Sequence, residues 1–68
     1  MNVMTVAQRV LAEFEEMPGM RLSLRQASRL FGLSEDSCRV VLDVLVDAAY
    51  LRQTPSGEVT LGERVAAA

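Results

Sequence analysis

The stretch Leu24-Arg25-Gln26-Ala27-Ser28-Arg29-Leu30-Phe31-Gly32-Leu33-Ser34-Glu35-Asp36-Ser37-Cys38 reads as a short helix, a tight turn and the opening of a second helix. Ser23, just ahead of it, is an N-cap residue, and Gln26 three positions on completes a capping box. Gly32 stands where a helix closes on a left-handed residue, a conformation that glycine adopts at little steric cost. Ser34 caps the second helix, and Glu35 and Asp36 put negative charge at its positive end. Leu33 before that cap and Cys38 after it are spaced as a hydrophobic staple. Small Ser28, four residues before Gly32, allows a close helix crossing. Together these signals spell a helix-turn-helix.

The second of these helices is expected to run from Glu35 to about Ala49. Cys38, Val41, Leu42, Leu45 and Ala49 form its inward stripe, and Asp36, Val40, Asp43 and Asp47 fall on the opposite face, flanked by Arg39 and Val44. Upstream, residues 3 to 17 read as a first helix with Val3, Ala7, Val10, Leu11 and Phe14 on one face. Thr5 and Gln8 have capping-box spacing, which would start the regular helix at Val6; Pro18-Gly19 stops it. Met20-Arg21-Leu22 is an extended link, with a one- or two-residue strand near Leu22. Downstream, Tyr50–Thr54 and Glu58–Leu61 alternate as strands about the turn Pro55-Ser56-Gly57, with Leu51, Val59 and Leu61 inward. The expected architecture is α+β: a three-helix core and a C-terminal two-stranded hairpin in a single domain, 1–62, followed by a tail, 63–68.

The totals bound what such a domain does. A 68-residue chain makes one domain and buries only about 60% of its unfolded surface. Half of its residues are apolar and 4% are aromatic, which gives an aliphatic core and leaves no room for a deep pocket, so no small-molecule substrate is expected. Met1, Met4, Met17 and Met20 read as core filler and chain ends. The net charge is −2, with seven Arg and no Lys, where a free-standing nucleic-acid binder usually carries a basic excess. One Cys and no His give no internal disulfide and no Cys/His zinc set. No secretory signal and no membrane-spanning run is visible, so the cytoplasm is the expected compartment. No Ser or Cys has a visible base, and no glycine-rich loop matches a phosphate cradle. The chain is therefore expected not to be an enzyme and to need no cofactor. Cys38, on the inward stripe, reads as a small core hydrophobe.

The order helix, short strand, helix, helix, hairpin resembles the winged-helix domains of bacterial transcription regulators. The resemblance is carried by Leu22-Ser23-Leu24, by Ala27-Ser28-Arg29-Leu30-Phe31-Gly32-Leu33-Ser34, by Val41-Leu42-Asp43-Val44-Leu45-Val46 with Tyr50-Leu51-Arg52, and by Thr54-Pro55-Ser56-Gly57-Glu58-Val59 as the wing. It covers roughly residues 5 to 61. It implies that the third helix lies in the DNA major groove, with Ser34, Asp36, Ser37, Arg39, Val40 and Asp43 toward the bases. Arg21, Arg25, Arg29 and, on the wing, Arg52 would meet phosphate. Two positions depart from the family. Ala49 stands where members often have Gly; a left-handed Ala costs ~1 kcal/mol or slightly more, so the third helix is expected to end differently. The outer face of that helix also carries Asp36, Asp43 and Asp47 against one Arg39, and carboxylates repel a duplex bearing about one negative charge per 1.7 Å.

Two functions follow. In one, the chain is a DNA-binding regulator using Arg21, Arg25, Arg29 and Arg52 on the backbone, Ser34, Ser37 and Arg39 at the groove, and a second copy or a larger regulatory protein to reach useful affinity. In the other, it is a protein-interaction or dimerisation module that does not bind DNA, meeting itself or another protein through Val40, Asp43, Val44 and Asp47.

Overall fold

The computed structural model describes residues 2–62, so Met1 and the expected tail, 63–68, lie outside the described residues. Helix α1 (Val3–Glu16) is capped by Asn2, whose side-chain oxygen accepts from the Thr5 amide at 3.2 Å. The expected Thr5–Gln8 box and a start at Val6 are thereby corrected. Asn is among the best N-cap residues, and Asn2 reaches the Thr5 amide, so Thr5 lies inside the first turn. Ala7, Val10 and Phe14 are buried on the core side of α1, with Val3 and Leu11 half-buried beside them.

Strand β1 (Arg21–Leu22) leads into helix α2 (Leu24–Phe31) through the capping box read from sequence. Ser23 Oγ accepts from the Gln26 amide at 3.1 Å, and Gln26 Oε1 accepts from the Ser23 amide at 2.9 Å. Gly32 closes α2 at φ +69°, and the Leu33 amide donates back to the Ser28 carbonyl at 3.0 Å. Ser28 is buried, and its hydroxyl donates to the Arg25 carbonyl at 2.9 Å, so the polar group at the crossing is satisfied within its own helix.

Helix α3 (Glu35–Asp47) starts at Ser34, whose Oγ accepts from the Ser37 amide at 3.1 Å, and runs unbroken over α1 and α2 with Cys38, Val41, Leu42 and Leu45 buried. Its end differs from expectation in two ways. The helix stops at Asp47, and Ala49 is exposed rather than on the inward stripe. Ala49 also takes the left-handed conformation itself, at φ +68°. The Ala49 amide donates to the Val46 carbonyl at 2.9 Å and the Tyr50 amide to the Leu45 carbonyl at 3.0 Å. These two bonds form a Schellman motif, so an alanine fills the place a glycine would ordinarily hold.

Strands β2 (Leu51–Gln53) and β3 (Val59–Leu61) form the hairpin, with Gly57 at φ +89° in its three-residue loop and the Thr54 amide donating to the Glu58 carbonyl at 2.8 Å. The expected short strand near Leu22 is present as β1, and the sheet has three antiparallel strands in the order β1-β3-β2. Leu51 and Val59 are buried, as the alternation requires. The core centres on Phe14, which is 0% exposed and meets Phe31 with ring centroids 6.3 Å apart. Met20 packs on this core, but Met4 is 61% and Met17 56% exposed. Reading them as core filler is thus corrected: Met4 falls at the edge of the apolar stripe and Met17 lies beyond the helix. Among the described residues, three helices and a small antiparallel sheet make an α+β fold.

Candidate functional site

The arginines singled out in the sequence sit on four elements, β1, α2, α3 and β2, and the strand register joins two of them. Arg21 on β1 and Arg52 on β2 are both directly opposite Thr60 on the central strand β3. Directly paired residues project to the same face of a sheet, so Arg21, Thr60 and Arg52 form one row across three strands. Neighbouring strands lie about 4.8 Å apart, which places the two arginine backbones roughly 10 Å from each other. Both arginines are exposed, yet Thr60 between them is only 5% exposed. Thr60 Oγ1 donates to the Met20 carbonyl at 2.8 Å, which ties the central strand to the residue just before Arg21. Arg25 and Arg29 are exposed and four apart on one side of α2, the helix that begins immediately after β1.

The candidates on α3 divide by direction. Arg39 is exposed and borders a cleft of about 240 Å³ between α3 and the hairpin, with Asp43, Val46, Gln53 and Gly57 around it. Ser37 is half-buried, and two residues apart on a helix is close to opposite sides, so the structure does not bring Ser37 and Arg39 together. Ser34 is exposed, with its Oγ committed to capping. Asp36, Asp43 and Asp47 are all exposed and form the crest of α3. Val40, on the same side, is 49% exposed, whereas Val44 is half-buried and leans toward α1. The expected exposed pair of valines is therefore one exposed residue and one groove-lining residue.

Sequence reading missed two features. One is the Arg21–Thr60–Arg52 row, which depends on β3 being the middle strand; hairpin alternation alone placed only Arg52. The other is a second groove of about 220 Å³ between α1 and the C-terminal half of α3, to which Met4, Gln8 and Leu11 contribute with Val44, Ala48 and Tyr50. The spacing of Met4, Gln8 and Leu11 along one side of α1 is the signal that could have revealed it.

Cys38 is buried, and desolvation, followed by the nearby Glu35 carboxylate, raises its thiol above the ordinary value of 9.0. It is a protonated core group. No group of three or more His, Cys, Asp or Glu suited to a metal ion is found among the described residues, and no described helix is long and apolar enough to cross a membrane. Compared with protein-family models, curated proteins and solved structures, the chain matches none.

Proposed function

We propose that the chain is a small DNA-binding protein of winged-helix type, acting in transcriptional regulation, that holds duplex mainly by its phosphates. The observation that carries this reading is the pairing of Arg21 and Arg52 on one sheet face, with Arg25 and Arg29 on the helix that follows β1. Four guanidiniums on adjoining elements suit a sugar–phosphate backbone, where arginine makes planar, bidentate contacts. The acidic crest of α3 limits base reading, leaving Arg39 at the cleft edge as the one cationic group on that helix. Affinity from so few contacts is low, so a second copy or a larger regulatory partner completes the binding unit.

The test is a titration of labelled duplex at several salt concentrations. Four phosphate contacts predict a log–log salt slope of about −3 to −4. Replacing both Arg21 and Arg52 by Ala should make the slope shallower by about two. Absence of duplex binding at about 50 mM salt, where electrostatic binding is strong, refutes the reading.

A second reading is favoured by the crest itself. Asp36, Asp43 and Asp47 beside the exposed Val40 suit a protein surface better than a duplex, and they describe an interaction or dimerisation module. Under it, Val40→Asp changes the mass of the particle in solution and leaves duplex binding as it was.

A further inference from the structure

We propose that the cleft between α3 and the hairpin binds a free aliphatic α-amino acid, of about the size of valine or leucine, without transforming it. The ligand's carboxylate meets Arg39, its ammonium meets Asp43, and its side chain lies on the apolar floor between α3 and β3. This goes beyond the duplex reading and does not depend on it.

The floor of the cleft is aliphatic and its mouth is charged. Leu42 and Val59 are buried at the bottom, with half-buried Val46 beside them. Arg39 and Asp43 line the same cleft from α3, and Gln53 lines it from β2; all three are exposed. Arg39 and Asp43 stand four apart on the helix, a spacing at which opposite charges can pair. Here they stay apart: among the described residues neither has an ion pair, and the Gln53 side-chain amide has no hydrogen bond. Glu35, four residues before Arg39, does not close on it either. Arg ahead of Asp is the less favourable order for such a pair, because the helix dipole suits the reverse. The cleft thus presents one free cation, one free anion and one free amide around an apolar floor, the pattern of a small-molecule site.

Size and charge together choose the ligand. At about 240 Å³ the cleft falls below the roughly 300–1,000 Å³ of sites for drug-sized molecules. Allowing about 30 Å³ for each water-sized group, it holds roughly eight non-hydrogen atoms, the size of valine or leucine. Side chains four apart on a helix leave their Cβ atoms about 5–6 Å from each other. A carboxylate and an ammonium carried on the same carbon bridge that gap. An acid without an amine would pair with Arg39 and set its charge beside the Asp43 carboxylate; an amine without a carboxylate would do the reverse. A ligand with both charges satisfies both side chains through charge-assisted hydrogen bonds. Phosphate esters fit less well, since no second cation lines the cleft beside Arg39 and the Asp43 carboxylate repels them.

The experiment titrates the full chain with leucine, with isocaproate (leucine without its ammonium) and with isopentylamine (leucine without its carboxylate), following amide shifts by NMR. Leucine should move the amides of Leu42, Val46 and Gln53 with a dissociation constant on the order of 1 mM, as suits so small a ligand. Each half-ligand should bind at least about tenfold more weakly, the loss expected for one charge-assisted hydrogen bond. Arg39→Gln should erase the advantage of leucine over isopentylamine, and Asp43→Asn its advantage over isocaproate. Both positions are exposed, and circular dichroism confirms that each variant is folded. The parent chain's ranking of the three ligands is decisive without either variant. No shift by about 20 mM leucine, equal binding of leucine and either half-ligand, or shifts on α1 or on the Arg21–Thr60–Arg52 row overturns the proposal, whatever the duplex titration gives.

Discussion

Replacing Ala49 by Gly should make the protein more stable, against the usual direction of an alanine-to-glycine change. Ala49 sits at φ +68° after α3, with its side chain exposed, so the substitution removes a methyl group that packs on little. Holding an L-residue left-handed costs roughly 1–2 kcal/mol through the approach of Cβ to the following carbonyl oxygen. Glycine removes that cost but widens the unfolded ensemble, which works against the fold by about 0.4–1 kcal/mol. The difference leaves a gain of about 0.5–1 kcal/mol. In a domain of 68 residues a change of about 1 kcal/mol moves Tm by roughly 4–8 °C, so a rise of about 2–8 °C is expected. Thermal and urea unfolding followed by far-UV circular dichroism measure it. The neighbouring alanine supplies the control: Ala48 has φ −83°, where glycine relieves nothing, so Ala48→Gly should lose about 0.5–1 kcal/mol. If Ala49→Gly is no more stable than the parent, or the two glycine variants shift the same way, the left-handed closure of α3 by alanine is wrong.

Two other outcomes test the frame. Gly62→Ala should lose about 1–3 kcal/mol in urea unfolding, because a Cβ there would lie 2.7 Å from the Ala49 carbonyl oxygen, a backbone atom held by its own turn. Cys38 gives a pH dependence. Its thiol titrates above 9.0 when folded, so the unfolded chain releases the proton first as pH rises. That contribution to stability is complete below 9.0 and is lost as pH climbs through the folded value, and Cys38→Ala should flatten this alkaline decline in pH-dependent urea midpoints.

The local signals were legible where one residue type answers one backbone need. Ser23 with Gln26, Gly32 and Ser34 each mark a boundary that the structure draws at the same place. The end of α3 was not legible, because nothing local shows an alanine accepting a left-handed φ; that follows from the two Schellman bonds and from β2 starting at Leu51. The start of α1 was misread because Thr5 offers the same hydroxyl chemistry as a true cap, and Asn2 is the better-placed acceptor. Among the candidate site residues, the exposure of Arg21, Arg25, Arg29, Arg39 and Arg52 followed from periodicity. The meeting of Arg21 with Arg52 did not, since strand order is a long-range property.

That strand order bears on how the chain matures as it is synthesised. β3 is made after β1 and β2 and lies between them in the sheet, so both wait for it. Helices α1 to α3 can begin to assemble on a growing chain, but no part of the sheet can form before residues 59–61 have emerged. Until then the backbone of Arg21 and Leu22 lacks its β3 partner, and the arrival of residues 59–61 seals the N-terminal half as well as the hairpin.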